Sequence, residues 1–202
     1  MYLLPFMNTK SNELAGLILA GGESSRMGTP KHELVFHNQR QDVHLFKLLQ
    51  KYLTKVYISG TLRQREDSEM KFISDQFNFR SPLNGILSAL NEIKTTALLV
   101  LPADMPEIDQ KAIQLLISGR NLEKHVTCFY NPSIPGPEPL FAIWEPSVKK
   151  LMQDYVIEGK RSVKGLIEQI SVELLEPPND KIFTNINTRE EYQNWLKSKP
   201  IK

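Results

Sequence analysis

Apolar residues along the chain fall in short blocks with two different spacings. Ala15–Ala20 is a continuous apolar run that stops at Gly21-Gly22, the way a buried parallel strand ends in a glycine turn. Lys55–Ser59 reads as a second strand. Lys71–Ser74 is a third, ending at Asp75, and Ala97–Leu101 is the clearest buried strand, stopping at Pro102-Ala103-Asp104. Between these runs the spacing becomes helical. Leu45, Leu48, Leu49 and Tyr52 predict a helix over Val43–Leu53 with Asp42 as its N-cap. Ile86, Leu87, Leu90 and Ile93 predict another, capped by Asn84. The stretch from the glycine turn to Arg40 is polar and predicts no element.

The second half continues the alternation. Asp109 begins a helix over Gln110–Ser118 that ends at Gly119. His125–Tyr130 and Pro139–Trp144 read as strands around a proline-rich loop, NPSIPGPEP. Pro146–Val156 and Ser162–Ile170 read as helices, Val172–Leu175 as a strand, and Thr188–Lys197 as a final helix. Such alternation predicts an α/β fold with a mainly parallel sheet covered by helices on both faces. No internal repeat or low-complexity linker divides the chain, so residues 1–202 are expected to form one domain, with 1–13 a loose leader. In such folds the ligand lies at the carboxyl ends of the strands. Those ends carry Gly21-Gly22, Ser59, Asp75 and Asp104.

Composition narrows the function classes. The chain is 41% hydrophobic and 24% charged, ordinary for a soluble globular protein. A net charge of +2 does not suggest general nucleic-acid binding. The single Cys128 excludes an internal disulfide framework and suits a cytoplasmic setting. The opening apolar run is too short for a membrane span and lacks the basic start of a secretory signal. The four histidines, His32, His37, His44 and His125, show no metal-ligand spacing.

The glycine-rich segment Leu19–Lys31, LAGGESSRMGTPK, carries the strongest chemistry. Five residues separate Gly22 from Gly28, so it is not a Walker A loop, and adjacent Gly21 and Gly22 exclude the dinucleotide fingerprint. Its composition is still that of a phosphate cradle. Glycines let backbone N–H groups approach anionic oxygens, Ser24 and Ser25 add hydroxyls, and Arg26 and Lys31 add cations. A solvated glycine-rich turn is the alternative.

LAGGESSRMGTPK resembles the signature L-A-G-G-x-S-x-R-M-G-x-x-K of the molybdenum cofactor guanylyltransferases. Pro30 stands where that family commonly has Asp; the related cytidylyltransferases often have Pro there. Four later segments resemble the family in the same order: ISDQFNFRSPLNGI (Ile73–Ile86), LPADMPEI (Leu101–Ile108), EPLFAIW (Glu138–Trp144) and FTNINTREEY (Phe183–Tyr192). Ser81, Ala103 and Arg189 replace the usual Gly, Cys and Pro.

The resemblance implies a three-layer α/β/α, Rossmann-like nucleotidyltransferase fold. It implies transfer of GMP from GTP to molybdopterin, with release of pyrophosphate and with Mg²⁺ as cofactor. Arg26, Lys31 and Asp104 become the catalytic candidates, with Asp104 the metal ligand. The nucleotide site would comprise Leu19, Ala20, Gly21, Gly22, Ser24, Lys31, Ser59, Asp75 and Asp104. Ser59 stands where the family often has Asn. For Asp75 and Asp104 an ordinary turn role is the alternative. Asn185 and Asn187 either orient substrate or metal-bound water, or satisfy backbone near the site. Lys160, Arg161 and Lys164 meet the pterin phosphate or form a solvated basic face. The expected partners are GTP, molybdopterin and, transiently, other molybdenum cofactor enzymes, with no nucleic acid or membrane. A cytidylyltransferase, a sugar-phosphate nucleotidyltransferase and a non-catalytic nucleotide-binding module are the rival functions.

Overall fold

A computed structural model describes residues 14–20, 34–60, 70–93 and 97–199. The leader 1–13 and the segment 21–33 therefore lie outside the described residues, and with them the expectations for Gly21, Gly22, Ser24, Ser25, Arg26, Lys31 and His32.

The predicted alternation is present. In chain order the elements are β1 (Leu14–Leu19), β2 (Val35–Phe36), β3 (Gln39–Arg40), α1 (Gln41–Gln50), β4 (Val56–Gly60), β5 (Lys71–Ser74), α2 (Pro82–Glu92), β6 (Ala97–Pro102), α3 (Gln110–Ser118), β7 (Val126–Asn131), β8 (Gly136–Trp144), α4 (Lys149–Ile157), α5 (Val163–Ile167), β9 (Val172–Leu175) and α6 (Arg189–Ser198). Seven strands form one sheet in the order β5-β4-β1-β6-β8-β7-β9. β8 pairs antiparallel with both β6 and β7, whereas the β5–β4, β4–β1, β1–β6 and β7–β9 pairs are parallel.

Strand residues alternate between two cores, as the two-residue period of a β-strand requires. Leu14 and Ile18 of β1, with Ala97, Leu99 and Leu101 of β6, face α1 and α3. Ala15 and Leu17, with Leu98 and Val100, face α2, α4 and α5. Helices thus cover both faces, giving the three layers. A smaller cluster joins Leu34 and Phe36 to Ile186 and Trp195, tying α6 to the β2–β3 hairpin.

Several boundaries differ from expectation for local reasons. α1 starts at Gln41 with Arg40 as N-cap; Asp42 instead pairs with the Arg40 guanidinium and accepts from the Val43 amide at 2.8 Å. α2 is capped by Ser81, whose Oγ accepts from the Leu83 amide, and Pro82 opens the helix. Asn84 lies inside the helix, where its side chain donates to the Phe77 and Phe79 carbonyls and accepts from the Phe77 amide. Gly119 ends α3 at φ −87, so no left-handed turn requires it; a Cβ there would meet Leu175 Cδ1 at 2.6 Å, and close packing of β9 does. The proline-rich loop shrinks to residues 132–135, since Gly136–Glu138 already belong to β8. Pro146–Val148 forms a 3₁₀ turn before α4, and α5 is shorter than Ser162–Ile170. The β2–β3 hairpin and the 3₁₀ turn Asp180–Phe183 had no expected counterpart.

Candidate active site at the carboxyl edge of the sheet

β1, β4, β5, β6 and β7 end on one edge of the sheet, and antiparallel β8 enters from that edge. The edge therefore gathers Ala20, Ser59, Asp75, Asp104, Asn131 and Glu138 from remote parts of the chain. The backbone closes it near β1: Ala20 N donates to Ser59 O at 2.9 Å, and Ala103 N donates to Leu19 O at 3.1 Å.

Ser59 is 1% exposed, and its Oγ donates to Asp75 Oδ1 at 3.4 Å. Burial raises the Asp75 pKa, and the Ser59 hydroxyl offsets part of that. α2 approaches this pair closely because residue 85 is Gly. A Cβ there would overlap Ser59 Oγ and lie 3.1 Å from Leu19 Cδ2. In the matched segment Gly85 thus serves packing against the ends of β1 and β4, Leu83 is a core residue, and the exposed Pro82 opens α2.

Asp104 follows β6 in a turn. Its carbonyl accepts from Ile186 N at 2.8 Å. The Asn185 amide lies beside the Asp104 carboxylate. Turned nitrogen-in, it donates to Oδ1 and Oδ2 at 3.0 Å each and to the Asp104 carbonyl at 3.2 Å. The distal match FTNINTREEY therefore meets the LPADMPEI match in space. Asn187 lies further along: its backbone amide donates to Glu191 Oε2 at 2.6 Å beside the capping box that opens α6.

Glu138 is the residue the sequence reading missed. It appeared there only as the first letter of EPLFAIW. Asn131, 3% exposed, donates to Glu138 Oε2 at 3.1 Å, and Leu140 N donates to Oε1 at 3.3 Å. Burial raises the Glu138 pKa, these two donors lower it, and the negative charge of Asp104 raises it again. Asp104 and Glu138 are thus close enough on this edge for their charges to interact. A charged residue inside an otherwise apolar strand was the available signal.

A hard divalent cation suits this chemistry. The Asp104 carboxylate offers hard oxygen ligands at a strand end, and the Asn185 amide beside it orients them. Among the described residues no group of three or more His, Cys, Asp or Glu could hold a metal by itself. Of the basic residues considered for the acceptor, Arg161 stacks on the Phe79 ring at 4.4 Å and donates to the Val156 and Lys160 carbonyls. Lys160 pairs with Glu158 at 2.7 Å. Cys128 is a buried core residue whose thiol burial pushes up to about 12. No helix among the described residues is long and apolar enough to cross a membrane.

The fold is that of the α/β nucleotidyltransferases. A solved structure named molybdopterin-guanine dinucleotide biosynthesis protein A, from Archaeoglobus fulgidus, superposes with a TM-score of 0.74 at 19% identity, covering 89% of this chain and 95% of that one. A Mycobacterium tuberculosis protein solved in complex with manganese superposes at 0.63 and 12% identity over 92% of this chain and 99% of that one. Residues 16–174 match the MobA-like NTP transferase domain, and the chain belongs to that family. A Clostridium perfringens protein named probable molybdenum cofactor guanylyltransferase is 30% identical over 194 residues, covering 91% of this chain and 96% of the relative. A Synechocystis molybdenum cofactor biosynthesis bifunctional protein is 26% identical over 182 residues, and this chain spans 52% of its length.

Proposed function

We propose that the protein transfers GMP from GTP to molybdopterin. The observation that carries this reading is the meeting of Asp104 and Asn185 at the carboxyl edge, beside the Ser59–Asp75 pair. The base and ribose would lie over the ends of β1, β4 and β5, against Leu19, Ala20, Ser59 and Asp75. Gly21, Gly22, Ser24, Arg26 and Lys31 would receive the triphosphate, and the acceptor would approach from the β8 side, past Glu138.

In the reaction a pterin phosphate oxygen attacks the α-phosphorus of GTP. The bond from that phosphorus to the bridging oxygen breaks, and pyrophosphate leaves with the electron pair. Two polyanions must meet, so positioning and charge neutralisation supply most of the acceleration. Asp104, its carboxylate oriented by the Asn185 amide, would hold Mg²⁺, which when bound screens the triphosphate and favours departure of pyrophosphate. Lys31 and Arg26 would neutralise the leaving pyrophosphate, Arg26 as a planar fork and Lys31 as a mobile point charge. Asp75, kept in a partly desolvated setting and oriented by Ser59, would accept hydrogen bonds from guanine or ribose.

The test is nucleotide selection followed by turnover. Calorimetric titration with GTP and CTP, each with Mg²⁺, is expected to show preference for GTP. Equal affinity or preference for CTP overturns the guanine assignment. Pyrophosphate release on adding molybdopterin distinguishes an enzyme from a nucleotide-binding module.

A further inference from the structure

The turn that carries Asp104 is pinned by parts of the chain far from it in sequence. Asp104 O accepts from Ile186 N at 2.8 Å. Met105 O accepts from Gln41 Nε2 at 3.3 Å, and Pro106 O accepts from His37 Nε2 at 2.8 Å. Glu107 takes the Trp195 indole N–H and pairs with Lys199 at 2.5 Å. Three consecutive carbonyls, 104 to 106, are therefore fixed. Peptide units are planar, so fixing successive planes fixes the dihedrals between them, and proline locks its own φ. These restraints hold the turn from which the Asp104 side chain projects.

Two of the three anchors come from one place, the β2–β3 hairpin and the first residue of α1, and Gln41 carries a cost that packing does not require. Gln41 is 0% exposed, yet its Oε1 has no hydrogen-bond partner among the described residues. A buried amide oxygen without a donor opposes folding, whereas an apolar side chain of similar volume would not. His37 and Asn38 occupy the left-handed region in succession, at φ 51 and 61, the type I′ turn of a two-residue hairpin. The His37 ring is held there by stacking on His44 at 4.5 Å and by an edge contact with Trp195 at 5.4 Å. Costs of this kind persist where the surrounding structure uses them.

We propose that Gln41 and His37 are positioning residues for Asp104. They hold the Met105 and Pro106 peptides so that the carboxylate stays beside Asn185, preset for the cation and phosphates. The inference rests on the reading of Asp104 given above.

The experiment compares Gln41→Leu, His37→Asn and Asp104→Ala by urea denaturation, by Mn²⁺ affinity in the presence of GTP, and by turnover. Asn tolerates the left-handed turn but is too short to reach Pro106 O. Gln41→Leu is expected to match or exceed the parent in stability. It should weaken Mn²⁺ binding several-fold and lower kcat about tenfold or more, since misplacement of about 1 Å at a reacting centre costs up to 10²-fold. KM for the acceptor should change little. His37→Asn should weaken Mn²⁺ and lower kcat in the same sense. If Asp104→Ala abolishes Mn²⁺ binding while both other variants bind it normally, the positioning role is overturned. If Asp104→Ala binds Mn²⁺ and turns over normally, it is the reading of Asp104 that fails.

Discussion

Substituting Gly85 by Ala tests how the Ser59–Asp75 end of the sheet is built. α2 passes so close to β4 and β1 that the new Cβ would overlap Ser59 Oγ and lie 3.3 Å from Ser59 Cβ and 3.1 Å from Leu19 Cδ2. Rotating the Ser59 hydroxyl away relieves only the first contact and breaks its bond to Asp75. Overpacking of this kind costs about 1–3 kcal/mol, and the lost hydrogen bond adds about 1 kcal/mol. Against this, Ala is about 1 kcal/mol better than Gly inside a helix. The net is a destabilisation of about 2 kcal/mol, equal to a Tm drop of about 4–8 °C for a chain of this size. Urea and thermal unfolding measure it directly. Adding Ser59→Ala to Gly85→Ala should recover part of the loss, because the overlapping atom is then absent, and the double-mutant cycle should be non-additive. A Gly85→Ala protein as stable as its parent, or an additive cycle, would refute the packing argument.

Asp104→Ala should abolish turnover while leaving a folded protein; normal activity would remove Asp104 from the mechanism. Arg120 and Glu145 form a bidentate pair at 2.6 and 2.8 Å, with side chains 10% and 7% exposed. Glu145→Leu strands the guanidinium and should cost about 3–5 kcal/mol in urea unfolding, whereas replacing both partners by apolar residues should cost far less. His44 has its pKa lowered from 6.5 to about 4 by burial and by the neighbouring His37 and Lys51 charges. As pH falls the unfolded chain takes up that proton first, so the stability from neutral His44 is complete above about 6.5 and is lost towards about 4. Asp75 and Glu138, with raised pKa values, act in the opposite sense, so the difference between parent and His44→Gln unfolding curves isolates the effect. A flat difference across that window would contradict the assignment.

The parallel sheet was legible because its strands are buried on both faces and read as unbroken apolar runs, Ala97–Leu101 above all. Asp75 and Asp104 were legible because the chain turns polar where those runs stop. The β2–β3 hairpin was not, since its turn is His37-Asn38 rather than a glycine pair, and its strands are two residues each. The caps of α1 and α2 were misplaced because Asp42 and Asn84 are cap-forming residue types engaged elsewhere. Ser81 and Arg40, with the better backbone geometry, took those positions. The contact between Asn185 and Asp104 spans eighty-one positions, and no local pattern encodes it. Only the order of matched segments hinted that the two belonged together.

The reversed direction of β8 leaves one side of the proposed site open to change. Because β7 leaves the edge and β8 returns through it, the wall on that side is a hairpin turn of four residues, 132–135, instead of a strand-to-helix crossover. Asn131 ties this turn down by accepting from Ser133 N at 3.0 Å while donating to Glu138. Lengthening or shortening the turn alters the space beside Glu138 without moving any strand of the sheet. The Ser59–Asp75 half of the edge has no such freedom, since Gly85 and Ser59 leave no room there. Under the proposed function, variation in acceptor therefore accumulates on the β8 side of Asp104 while the nucleotide side stays fixed.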